Sequence, residues 1–126
     1  MVEQVKDVIS SALIKISKES NINLGIIRLE IKIEDDEVVI KQLHKSTYYP
    51  SEKENISWGK ILGMKSIFSS VIKSTIKKNL IRLAIEDGIS ENDISCRFYM
   101  DSEKKCNSYL FNNGTPLKKI ELSDIV

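Results

Sequence analysis

The chain has 126 residues, carries 19 basic and 18 acidic side chains for a formal net charge of +1, and is 41% hydrophobic. That length suits a single domain, residues 1–126, with one core. The near balance of charge excludes a whole-molecule field pulling the protein to nucleic acid or an anionic membrane, so electrostatic partners must be met by a local patch.

Val5, Val8, Ile9, Ala12, Leu13 and Ile16 recur at three- and four-residue spacing, which predicts an amphipathic helix over about 2–19. Asn21 ends it, because asparagine tolerates the left-handed backbone after a helix, and Ile22 can fold back onto the last turn. From Ile26 the period becomes two. Ile27, Leu29, Ile31 and Ile33 point one way, and Arg28, Glu30 and Lys32 the other. Asp35 and Asp36 read as a two-residue hairpin loop, which sets Ile33 opposite Val38, Ile31 opposite Ile40, Ile27 opposite His44, and Glu30 opposite Lys41 on the wet face.

Residues 45–57 are polar, contain one proline and hold no period, so they read as the longest loop. A second helix is expected over about 58–87, N-capped by Ser57, with a break near Gly63 left open, and stopped by Gly88 and Ile89. Ile94, Cys96, Phe98 and Met100 then alternate, residues 101–105 turn, and residues 106–111 return. Residues 112–116 read as a second breaker, after which Ile120 and Leu122 suggest a short edge strand. The fold class is therefore α+β: a two-layer sandwich in α-β-β-α-β-β(-β) order, an antiparallel sheet with two helices on one face. A shift of 67 residues lays Leu13 on Leu80, Glu19 on Glu86, Asn21 on Gly88 and Ile27 on Ile94, which raises an αββ pseudo-repeat over about 2–44 and 58–112.

The second helix carries more apolar surface than one stripe requires. At about 100° per residue, Trp58, Leu62, Ile72, Ile76, Leu80 and Leu83 form the stripe toward the sheet, while Met64, Ile67, Phe68 and Val71 lie beyond it. Either the first helix covers that flank, or a second copy or protein partner does. Past Ile72 the helix turns basic through Lys73, Lys77, Lys78 and Arg82, a face that is either solvated or an anion and nucleic-acid patch. His44, Lys45, Tyr48, Tyr49 and Trp58 gather around the long loop, where rings beside cations can stack a base or clamp a small ligand, although a histidine on the inward strand phase more often serves structure.

Glu34, Asp35, Asp36 and Glu37 lack the glycine and ligand spacing of a calcium loop and read as a solvated hairpin tip. Two cysteines and one histidine give neither a disulfide framework nor a zinc site, no phosphate loop or nucleophile elbow is present, and no cofactor is implied. Charges within the first apolar pattern argue against a signal peptide, and lysines break the greasiest run before it reaches the roughly 18 residues of a membrane span. A cytoplasmic, non-enzymatic protein-binding or oligomerising module of accessory type (inhibitor, immunity or chaperone-like) is the leading expectation, working as a homodimer or with one protein partner. Nucleic-acid binding at the basic helix end and small-ligand binding at the long loop are the alternatives. The excess of lysine and isoleucine matches an AT-rich genome.

Overall fold

A computed structural model describes residues 2–44, 54–56 and 66–126. Helix α1 (Val2–Ser20) buries Val5, Ile9, Ala12, Leu13 and Ile16 on the predicted stripe. Asn21 takes a left-handed φ of 52°, and the Ile22 amide reaches back to the Ser17 carbonyl at 3.1 Å, the six-to-one bond of a Schellman stop. Strands β1 (Ile27–Glu34) and β2 (Glu37–His44) pair antiparallel in the register the alternation predicts, including Ile27 with His44, Ile31 with Ile40 and Glu30 with Lys41. Asp35 and Asp36 have φ of 50° and 65°, the mirror-image turn whose twist matches the flanking strands.

Within the segment expected to be loop, Glu54–Ile56 instead forms a short strand, β3, which pairs antiparallel with β2. Helix α2 (Ser66–Glu86) buries Ile72, Ile76, Leu80, Leu83 and Ala84. The expected N-cap at Ser57, the start at Trp58 and the break near Gly63 lie outside the described residues. Gly88 stops α2 at φ 66°, and the Ile89 amide bonds the Ala84 carbonyl at 2.8 Å. Strands β4 (Ile94–Met100), β5 (Cys106–Asn112) and β6 (Thr115–Ile120) complete the sheet. The β5–β6 turn needs only Asn113 and Gly114, at φ 47° and 84°, so the last strand begins inside the expected breaker. It ends at Ile120. Leu122 is buried from a short 3-10 turn, Leu122–Asp124, rather than from the strand.

The sheet order is β3-β2-β1-β4-β5-β6, with every neighbouring pair antiparallel. Both helices lie on one face: α1 packs over β1, β4 and β5, and α2 over β2 and β4. The core between the layers includes Leu13, Ile27, Leu29, Ile31, Ile76, Leu80, Phe98 and Leu110. Local geometry recurs across the two halves. Ile26 bonds the Asn23 carbonyl and Asp93 the Ser90 carbonyl, each at 2.9 Å, while the Gly25 amide bonds Asn23 Oδ1 and the Asn92 amide bonds Ser90 Oγ. Both sets are related by the 67-residue shift. At the centre of the sheet Glu30 pairs with Arg97, the residue 67 positions on, so the local two-fold axis relating β1 and β4 passes between them.

Candidate functional site

The side chains singled out on sequence grounds are not gathered into one site. Lys45, Tyr48, Tyr49, Trp58 and Met64 lie outside the described residues. His44 ends β2 in its expected pairing with Ile27, and Ile67 and Phe68 fall in the first turn of α2. Val71 is 50% exposed, while the adjacent Ile72 is buried on the sheet-facing stripe. The basic run is split. Lys77 Nζ lies 2.9 Å from Asp36 Oδ1; Arg82 bonds Glu86 Oε1 at 3.0 Å and donates to the Asp124 carbonyl at 3.1 Å. No ion pair with a described residue engages Lys73 or Lys78.

Among the described residues no cluster of histidine, cysteine and carboxylates is placed to hold a metal ion. Cys96 faces the core, where burial pushes its thiol far above the ordinary range, the opposite of what a nucleophilic thiolate requires. Cys106 is half-buried. Burial raises its thiol too, and a Ser10 hydrogen bond and the Lys6 charge pull the other way. It lines a groove of about 520 Å³ between α1 and β5, whose rim mixes Lys6, Lys104 and Lys105 with Glu3, Asp7 and Glu121. No described helix is long and apolar enough to cross a membrane.

The concentrated chemistry lies on the sheet face away from the helices. Side chains alternate along each strand, so Arg28, Glu30 and Lys32 share that face with Val39, Lys41 and Leu43 of β2, Ser95, Arg97 and Tyr99 of β4, and Tyr109 and Phe111 of β5. Lys119 stands opposite Tyr109 on β6. Among the described elements none packs over this face.

Its centre is built around a carboxylate. Glu30 is only 1% exposed, although the bare alternation would leave it in water. Arg97 Nε donates to Glu30 Oε2 at 2.8 Å, and the Ser95 hydroxyl donates to the same oxygen at 3.3 Å. Lys41, across β2, reaches Glu34 Oε2 at 2.6 Å. With its Nε fixed, the Arg97 guanidinium lies over the Phe111 ring, 4.1 Å from the centroid. Next to it, Arg28 donates to the Gly25 and Ile27 carbonyls at 2.7 and 3.0 Å and lies 4.5 Å from the Tyr99 centroid. Tyr99 and Tyr109 stack with centroids 5.9 Å apart and planes 23° from parallel, the diagonal cross-strand contact that long side chains make.

The result is two guanidinium–ring pairs, Arg28 with Tyr99 and Arg97 with Phe111, beside the Tyr99–Tyr109 stack. Burial lowers the Arg28 pKa; Tyr99 opposes that, and the neighbouring Arg97 charge adds to it. Burial raises Tyr99, and a hydrogen bond that its hydroxyl donates to Tyr109 raises it further. At the end of the face the Asp101 carboxylate accepts the Glu103 and Lys105 amides and the Asn107 side chain, each at 2.9 Å. The Lys105 amide is the first cause holding its carboxyl below the usual range.

Sequence reasoning placed Arg28, Glu30 and Lys32 on the outer face but did not connect them to Arg97, Tyr99, Tyr109 and Phe111. The usable signal was the outward phase of the third and fourth strands, read with the 67-residue shift that sets Glu30 on Arg97. Compared with known proteins, the chain matches no family model, no curated protein and no solved structure.

Proposed function

We propose that the protein is a non-enzymatic protein-binding module of accessory type, working in the cytoplasm, and that its docking surface is the open face of the sheet. One observation carries this reading: the ladder Arg28, Tyr99, Tyr109, Arg97 and Phe111 is locked in place on a face that no described element covers. Arginine and tyrosine are the side chains that most often dominate binding energy at protein interfaces. The chain is poor in arginine, yet two of its three arginines stand here, where a planar stacking group cannot be exchanged for lysine. Their hydrogen bonds to Glu30, Gly25 and Ile27 fix the rotamers before binding, which lowers the entropic cost of association.

A single-stranded nucleic-acid platform would offer free aromatic faces to unstacked bases. Here the Phe111 face is taken by Arg97, and Tyr99 lies between Arg28 and Tyr109. Docking through α2 at Ile67, Phe68 and Val71 is supported by the exposure of Val71 alone.

Site-specific photo-crosslinking in the producing cell tests the proposal. With p-benzoylphenylalanine in place of Tyr109, a discrete protein adduct is expected. The same group in place of Lys15, on the exposed side of α1, should give none. An adduct from position 71 but not from 109 would move docking to α2, and equal background at every position would refute a docking surface.

A further inference from the structure

We infer that the partner docking on the open sheet face is an acidic protein segment, one that presents carboxylates with interspersed apolar side chains. This rests on the reading of that face as the docking surface. It adds the sign of the partner's charge, which the overall composition conceals.

The whole chain is nearly neutral, but its charges are not evenly distributed. Arg28, Lys32, Lys41, Arg97 and Lys119 stand on the open face, against Glu30 in the middle, Glu34 and Glu37 at the end next to the β1–β2 turn, and Asp101 at the opposite end. Arg97 is held by Glu30, and Lys41 by Glu34. The hydrogen bonds of Arg28 go to backbone carbonyls, which leave its positive charge uncompensated. No ion pair with a described residue engages Lys32 or Lys119. Three cations therefore flank the aromatic ladder, opposed by Glu37 at one end and Asp101 at the other, so cations remain in excess.

This pattern separates the candidate occupants. A second copy laid face to face would set Arg28, Lys32 and Lys119 against a surface of the same sign, which costs affinity. Nucleic acid satisfies the charge, but Arg28 and Tyr109 stack on Tyr99 and Arg97 covers one face of Phe111, which reduces the ring surface left for bases. A carboxylate-bearing peptide needs no free ring face. Its acidic groups can pair with the half-buried Arg28 and Lys32 and with the exposed Lys119 at the sheet edge, while its apolar groups lie on Tyr99, Tyr109, Phe111 and the half-buried Val39.

The test is fluorescence anisotropy at low ionic strength with labelled synthetic peptides of glutamate and leucine, against lysine–leucine and serine–leucine peptides of equal length and against oligothymidylate. The glutamate–leucine peptide is expected to bind best and to weaken as salt rises. The double variant Lys32→Glu, Lys119→Glu is expected to weaken it by about tenfold, one half-buried and one exposed charge being reversed on the docking face. Lys15→Glu and Lys18→Glu on α1 should leave it unchanged. Equal binding of the acidic and basic peptides, no binding of the acidic one, or an undiminished response in the double variant would overturn the inference. Preferential binding of oligothymidylate would make the occupant nucleic acid, and a dimer in light scattering that the double variant dissociates would make it a second copy. If crosslinking at position 109 yields a protein adduct while the acidic peptide fails, the docking surface stands and the assigned charge falls.

Discussion

Glu30 and Arg97 illustrate how a single contact can sit at odds with the pattern around it. Alternation puts Glu30 on the outer face, and the register opposite Lys41 is as predicted, yet the carboxylate is buried, with Arg97 Nε and the Ser95 hydroxyl donating to one of its oxygens. A buried ion pair gains little net stability against an apolar pair of the same shape, because two charges must be taken out of water. Removing one member is different, since the remaining charge keeps its desolvation penalty and loses its main compensation. Arg97→Ala is therefore expected to lower the unfolding free energy by about 3–5 kcal/mol, read from urea denaturation. The paired change Glu30→Leu, Arg97→Met should return the protein to within about 1 kcal/mol of its original stability. A single variant as mild as the pair would show that the ion pair is solvated and that the ladder is not anchored through it.

At the scale of elements, legibility followed local chemistry. Both helices, the β1–β2 register and the two helix stops were readable because apolar spacing, a turn dipeptide or a left-handed residue marks each of them within a few positions. Strand β3 was not readable, since three residues cannot display alternation and only pairing with β2 makes Glu54–Ile56 a strand. The start of β6 was hidden by Pro116, which reads as a breaker but is tolerated at the sheet edge, where one side of the strand has no ladder to serve. The helix stops also separate backbone strain from crowding. A Cβ added at Gly88 would meet nothing within 4 Å, so substitution there meets only the penalty of its φ of 66°. Gly88→Ala is expected to destabilise the protein by about 1 kcal/mol in thermal or chemical denaturation. A loss several times larger would mean that the Schellman stop carries packing that this geometry does not contain.

Across the whole molecule, the open face could not be assembled from the sequence because its members belong to strands that meet only in the folded sheet; the Ser95 hydroxyl and Glu30 are 65 residues apart along the chain. The layer that covers the other face interlocks the two halves. Helix α1, from the first half, packs over β4 and β5 of the second, and α2 packs over β2 of the first. Neither half can bury its own apolar surface with its own helix alone, so fragments 1–65 and 66–126 are each expected to lack a cooperative thermal transition, and an equimolar mixture is expected to regain one. The two-fold relation between β1 and β4 offers each fragment a competing route, pairing with another copy of itself in the same register. That route sets Glu30 against Glu30, or Arg97 against Arg97, at the buried centre of the sheet, and two like charges there repel where the native pair attracts. Circular dichroism and light scattering of the separate and mixed fragments decide the matter: recovery only on mixing, as a one-to-one complex, supports charge selection at the axis. A fragment that folds cooperatively as a monomer would refute the interlocking. A stable homodimer of either fragment, of equal stability to the mixture, would refute the role given to Glu30 and Arg97.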